Sequence, residues 1–457
     1  MIEIRNTALD TELARIGIPL TAVADQINQV AEENNCHFRY NASSLSHWLT
    51  GRTPQPERIP VIVEAFRRLL VAPGLRAADL GWEEADQDGE DPEGADPWRA
   101  DPMTWLDHLG RLDMYPDDRV PDHRPGRRTL LFSLAAAAVP AASGAPPRPS
   151  PSPGRTAGSA EAARIREVST VFSDLDDRFG GAHVRASIAA YLTNHVVPVL
   201  RHASPRSRPA LFAAAAEMSY LAGWMASDAG KAGIAQGYYI QSVRMAVQAD
   251  DYRLKATTLR AMALQAVELG HTRHGRDLAD AAERTLPASA PPRLRSWITA
   301  MRAEAHAADG ESQAARILLK AAERDLERAS SSQAPDWTGS SYSHAALRHQ
   351  TGTTLASAGD LAPAEEYLSA SLIGRPGTQR RSRSLIGTRL AALQLRRNQP
   401  DAAALTVESI SSDLTMVVSA RVDRELGRLR ANWSKARSDP TVSEIDHFVA
   451  GLIRQRA

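Results

Sequence analysis

The second half of this chain carries a periodicity that few folds accommodate. Gly230, Gly270, Gly310, Gly359 and Asn398 each end a helical stretch, at spacings of 40, 40, 49 and 39 residues. Five residues after each stands a small residue: Ala235, Gly275, Ala315, Ala364 and Ala403. Seven before each stand Gly223, Ala263, Ala303, Gly352 and Ala391, and twelve after stand Ser242, Ala282, Ala322, Ser371 and Ile410. Glycine and asparagine supply the left-handed residue that a helix C-terminus favours. Small residues at fixed phase let antiparallel helices approach closely and let successive pairs stack. Pro287 and Pro376, each seventeen after its turn glycine, end the second helix of their units. The pattern predicts a stack of helical hairpins over residues 160–457. Two further helices, about Ala160 to Phe179 and Ala182 to Leu200, are expected to precede or cap it, with Gly180-Gly181 as the turn between them.

The first 82 residues read differently, as a head of four or five short helices. A first helix around Thr7 to Ile16 directs Leu9, Leu13 and Ile16 inward, and a fourth from about Arg58 to Leu70 carries a wide apolar face. Between them, Thr21 is positioned to cap a helix bearing Val23, Ile27, Val30 and Ala31. Asn41 is positioned to cap another in which Leu45, Trp48 and Leu49 point inward and Gly51 provides the stop. That pair has the shape of a helix-turn-helix. Its second helix leaves Ser43, Ser44, His47 and Thr50 outside, small or polar groups suited to base edges or phosphates, with Arg39, Arg52 and Arg58 flanking. Two features oppose tight DNA binding by one head. The interval Glu33 to Tyr40 exceeds the usual turn of about three or four residues, and nine acids outnumber eight arginines over residues 1–82.

Residues 83–159 read as linker. Glu83 to Asp101 holds nine acids against Arg99 alone, and Pro140 to Ser159 is rich in Pro, Gly, Ser and Ala. Within this stretch an apolar segment at 129–142 follows Arg127-Arg128, an imitation of a twin-arginine export signal that lies far from the N-terminus. The run is too short to span a bilayer, so no stable membrane insertion is expected. Formal net charge is zero, so any attraction to nucleic acid must be local. Of 54 basic residues four are lysine, and the single cysteine, Cys36, fits a reducing, cytoplasmic setting.

The repeat phase resembles the tetratricopeptide repeat, in a variant with longer units. In the head, His47-Trp48-Leu49-Thr50-Gly51-Arg52, followed by Pro54 and Pro56, resembles the W-x-x-G-[KR]-x-x-P signature of lambda-repressor-like regulators. The Arg-Arg-Thr-Leu-Leu segment and the Phe179-Gly-Gly-x-x-x-Arg185 and Tyr191-Leu192 elements extend the likeness to large helix-turn-helix regulators of streptomycetes and related actinobacteria. The resemblance implies an all-α protein with a lambda-repressor-like head, disordered linkers and a tetratricopeptide-like solenoid. It also implies a role in transcription during development or antibiotic production.

These readings predict a DNA-binding regulator that contacts double-stranded DNA through Arg39, Asn41, Ser43, Ser44, His47, Thr50 and Arg52. Its repeats would hold a protein, peptide or small-molecule effector, and a homodimer would double the phosphate contacts. Between Glu366 and Asp401 seven arginines occur without an acid, and Arg375, Arg380, Arg381 and Arg383 are the expected effector contacts. The rival reading is a protein-interaction scaffold whose head does not touch DNA. No Gly-rich phosphate loop, nucleophile elbow or catalytic Cys/His arrangement is present, and His271/His274 and His344/His349 lack a third ligand in frame. No enzyme, cofactor or metal site is therefore expected.

Overall fold

The computed structural model describes residues 5–33, 36, 38–55, 58–70, 72, 75, 77–82, 97–98, 101–114, 157–329, 342–433 and 439–456. Among the described residues the secondary structure is helical throughout, with no strand, and no helix is long and apolar enough to cross a membrane. The apolar segment 129–142, Arg127-Arg128 and the Pro-rich stretch 140–156 lie outside the described residues.

The head comprises α1 (Thr7–Ile16), α2 (Leu20–Glu33), α3 (Ala42–Leu49), α4 (Ile59–Leu70) and a 3-10 turn at Ala77–Leu80. Its core gathers Leu9, Ile27, Leu45, Trp48, Ile62 and Phe66. α1 begins where the Asn6 side chain accepts from the Leu9 amide and ends at Gly17 with φ 66°. Thr21 is not the cap of α2. That helix already begins at Leu20, because the Pro19 carbonyl accepts the Ala22 and Val23 amides, and Thr21 sits exposed in its first turn. In α4 a fully buried Glu64 is met by Arg68 at 2.9 Å, one helical turn on.

The tail begins with α6 (Ala157–Phe179) and α7 (Gly181–Tyr191), the latter continuing through a π-turn at Leu192–Val196 into α8 (Val197–Arg201). Five hairpins follow: α9 (Arg208–Asp228) with α10 (Ala232–Gln248), α11 (Tyr252–Glu268) with α12 (Thr272–Thr285), α13 (Pro292–Ala308) with α14 (Ser312–Glu327), α15 (His344–Ser357) with α16 (Leu361–Ile373), and α17 (Arg380–Arg396) with α18 (Pro400–Ser409). The five turn residues all have positive φ, from 60° at Asn398 to 89° at Gly359. All fifteen phase positions are buried.

The closeness these residues allow is physical. A Cβ on Gly352 would stand 2.7 Å from the Leu368 side chain and 3.0 Å from the Ala364 carbonyl, and Gly223 and Gly275 meet the facing helix equally tightly. A second contact repeats with its donor on either helix. Ser242 donates to the Ala216 carbonyl (2.8 Å), Ser296 to Ala322 (2.7 Å) and Ser371 to Ala345 (2.6 Å). Each joins a first helix to its partner by a side-chain-to-backbone bond.

The stretch expected to be linker contains a helix. α5 (Pro102–Met114) lies on α7 and α10, burying Trp105, Leu106 and Leu109. Leu109 fills the space above Gly237, Gly110 backs onto Thr193, and the buried Asp113 pairs with Arg185 and accepts from the Tyr238 hydroxyl. Just before α5, the Pro97 carbonyl accepts from Gln241 and Arg244, both at 3.0 Å. The acidic composition hid an apolar stripe that requires the tail for its burial.

Nor is the stack open-ended. After α18 come α19 (Ser411–Met416), α20 (Ala420–Asn432) and α21 (Pro440–Arg456), and the chain around Val418 returns to the start of the tail. The Val418 amide donates to the Phe179 carbonyl (2.8 Å), and Asp228 accepts from the Gly181 amide (3.0 Å) and the Ser419 hydroxyl (2.8 Å). Gly180, at φ 87°, lies against the Val418 carbonyl, where any Cβ would collide.

Two glycines separate packing from helix propensity. Gly352→Ala places a methyl against the Leu368 side chain and the Ala364 carbonyl of the facing helix and is expected to destabilise by about 1–3 kcal/mol. Gly427→Ala, in α20 with open space around it, is expected to stabilise by about 0.5–1 kcal/mol, because alanine is the better helix former. Urea denaturation of both variants checks the opposite signs.

Candidate functional sites

In the head, α3 is a single short helix of eight residues, roughly 12 Å long, fixed at both ends. At its start the Asn41 side chain accepts from the Ser44 amide (3.1 Å), while the Ser44 hydroxyl accepts from the Asn41 amide (3.4 Å), a reciprocal capping box. At its end the Leu49 carbonyl accepts the Arg5 and Asn6 amides at 2.8 and 3.0 Å, and Gly51 turns the chain away at φ 92°. The long interval before α3 is held by a clamp that residue pattern alone did not suggest. Asn28 on α2 accepts from the Tyr40 amide (2.7 Å) and donates to the Tyr40 carbonyl (2.8 Å), pairing with it as a second backbone would. Tyr40 meets Trp48 edge-on at 4.8 Å, and Trp48 meets Trp82 at 5.6 Å.

The seven expected DNA contacts divide accordingly. Arg39, Ser43, His47 and Arg52 are exposed, and Ser43 and His47 share one face at i and i+4. Asn41 and Ser44 have their side chains engaged in the cap, and the Thr50 hydroxyl donates to the His47 carbonyl (2.8 Å). Arg58, also expected to flank the helix, lies over the Phe38 ring at 5.0 Å.

The arginine-rich run of the tail finds acids that the linear sequence kept far away. Arg383 pairs with Asp413 at 2.7 Å, Arg380 lies 4.0 Å from the same carboxylate, and Arg381 is buried between Asp176 (3.0 Å) and Asp177 (3.1 Å) of α6. Arg389 reaches Glu268 at 3.1 Å, and Arg421 pairs with the same carboxylate. The run is therefore not a free cationic face. Of the four expected effector contacts, Arg375 and Arg381 line a cavity of about 220 Å³, while Arg380 and Arg383 do not.

Every first helix of the five hairpins contributes to this cavity: Trp224 from α9, Arg260 from α11, Trp297 from α13, His349 from α15 and Arg389 from α17. The rings hold the guanidinium groups in place. Arg260 sits 4.4 Å from the Trp297 centroid, and Arg381 and Arg421 lie 5.4 and 5.3 Å from that of Trp224. His349 Nε2 accepts from the Arg389 guanidinium at 3.2 Å. Burial, reinforced by the charge of Arg389 and Arg375, depresses its basicity far below the usual histidine range, so the ring is neutral and its Nε2 is the acceptor. Sequence spacing gave no sign of this assembly, because its members lie 36 to 52 residues apart from one helix to the next.

Electrostatics at the seam are asymmetric. Burial pushes Asp176 up to about 7 against the pull of Arg381, with Asp228 and Asp177 adding to the rise. For Glu268, burial is overcome by Arg421 and Arg389, which hold it below the ordinary glutamate value. A raised acid favours the folded state most at low pH. Asp176 thus contributes stability that is full below its unfolded value of 3.8 and is lost as pH rises through about 7.

Comparison with known proteins places a match on the head. A family model described as the SP15 N-terminal domain matches residues 9–83. No curated protein and no solved structure matches the chain.

The seam yields an expectation. Arg381→Met leaves Asp176, Asp177 and Asp228 facing one another and is expected to cost about 3–5 kcal/mol. Asp176→Asn removes one of three crowded carboxylates, is expected to cost far less above pH 7, and flattens the pH dependence between about 4 and 7. Denaturant midpoints measured across that range for both variants check the ordering.

Proposed function

We propose that the protein is a DNA-binding transcriptional regulator whose head is a lambda-repressor-like helix-turn-helix and whose tail is a tetratricopeptide-like effector-binding array. The reading rests on one observation. α3 is rigidly capped, yet it presents exposed Ser43 and His47 between Arg39 and Arg52, neither of which makes an ion pair among the described residues. A helix so constrained at both ends, with uncommitted polar groups on its outer face, suits reading of a major groove. The near-neutral head favours a homodimer, because two heads double the phosphate contacts. The sequence resemblance adds a role in development or antibiotic production, in the cytoplasm. The five first helices converging on one cavity support the tail as the effector-binding half.

Selection from a pool of random duplexes tests the head. Enrichment of a specific site is expected, and Ser43→Glu with His47→Glu is expected to weaken it about 100-fold. Glutamate at the second position of α3 suits a helix start, so the fold survives. Arg39→Ala with Arg52→Ala should lower the salt dependence by about two phosphate contacts per head. A head that retains no duplex at low salt, while the same substitutions leave cellular function intact, establishes the protein-interaction scaffold instead.

A further inference from the structure

Two of the cavity's cations make no ion pair among the described residues, although Asp177 acts on Arg375 and Glu304 on Arg260 from beyond ion-pair distance. Arg260 is 7% exposed, and its contacts are the Trp297 ring, the Trp297 carbonyl at 3.4 Å and Gln350 Oε1 at 3.5 Å. Arg375, half-buried at the cavity rim, donates to Gln379 Oε1 at 2.9 Å. Neither has a carboxylate within ion-pair distance among the described residues, whereas Arg381, Arg389 and Arg421 all do. Burial depresses the basicity of both Arg260 and Arg375, as it does for cations whose charge is poorly met. Glu304, the acid within electrostatic reach of Arg260, accepts from Gln350 at 2.9 Å, and burial pushes its own acidity down. Leaving a guanidinium buried and unpaired is costly, and the cost is removed when an anion arrives.

We propose that this cavity is a binding site for a phosphate monoester, with Arg260 and Arg375 as the two guanidinium groups that meet its charge. The assignment deepens the reading of the tail as the effector-binding half and does not depend on the head contacting DNA. Two guanidinium groups with no direct ion pair match a dianion, and a phosphate monoester carries about −1.5 to −2 charges with three acceptor oxygens for arginine forks. A single carboxylate leaves one cation unmet. The volume of about 220 Å³ exceeds several times the roughly 30 Å³ share of a water molecule, so there is room for an organic group beside the phosphate. Because the walls come from α11 on one side and from the approach to α17 on the other, a bound anion ties the middle of the stack to its closing helices.

Titration calorimetry on the full chain with phenyl phosphate, inorganic phosphate, succinate and matched sodium chloride tests the proposal. Binding of phenyl phosphate is expected, and Arg375→Met is expected to weaken it at least about tenfold, with partial retention in Arg375→Lys. A second signature separates a ligand site from a structural one. Arg260→Met and Arg375→Met should keep or raise the melting temperature of the ligand-free protein, since each removes an unpaired charge, while abolishing the thermal shift given by phenyl phosphate. Absence of any phosphate binding, or phosphate binding unchanged in both methionine variants, overturns the proposal. Binding of succinate in place of phenyl phosphate also overturns it but leaves the tail an effector-binding half. Loss of duplex binding with the phenyl phosphate shift intact refutes the DNA reading alone.

Discussion

The tail depends on one joint. Asp228, at the end of α9, accepts from the Gly181 amide on one side and the Ser419 hydroxyl on the other. Beside it Arg381 and Arg421 share the Trp224 ring while pairing with acids of α6 and α11. Stacked hairpins otherwise contact nearest neighbours, so their interactions sum along one direction. The joint adds contacts between residues about 190 positions apart, which bring the last hairpin against the first helices. The cavity exists because of this closure, since its walls come from both sides of the seam.

Closure by ions rather than by apolar packing has consequences. Hydrophobic faces bury area with little regard for direction, whereas a buried carboxylate among arginines fixes geometry and is penalised when a partner is missing. Arg381, Arg389 and Arg421 of the seam each meet a carboxylate, and the two arginines with no ion pair among the described residues, Arg260 and Arg375, line the cavity. The glycines at 180 and 181 serve the same joint. Their missing side chains admit the Val418 and Met225 backbones.

What could be read from the chain follows from how far apart the interacting residues are. The hairpin turns and all fifteen phase positions were legible because each contact joins residues within about one hairpin, and positive φ demands glycine or asparagine at identifiable places. The cap and stop of α3 were legible for the same reason. Thr21 failed as a cap because Pro19 already supplied a carbonyl at the correct place. α5 was concealed by acidic neighbours, and Leu109 fits over Gly237, 128 positions further along the chain. The arginine run looked unpaired because Asp176, Glu268 and Asp413 lie outside it in sequence. Charge counted along a chain does not indicate charge in space.

The head obeys a different constraint from the tail, and the contrast bears on how they are built. In the tail, backbone polar groups are satisfied within long helices, and side chains make the joints. In the head, helices of eight to fourteen residues leave a large share of their amides and carbonyls at ends. Side chains must meet them, as Asn6, Asn28, Asn41 and Ser44 do. Asn6 serves two ends together, accepting from Leu9 and donating to the Leu80 carbonyl at 2.9 Å, with Gly81 opposite leaving room for its carboxamide. These caps orient α3 and occupy Ser44 of its outer face while leaving Ser43 and His47 uncommitted. The side chains left on that face, Ser43 and His47, are therefore under no demand from the caps.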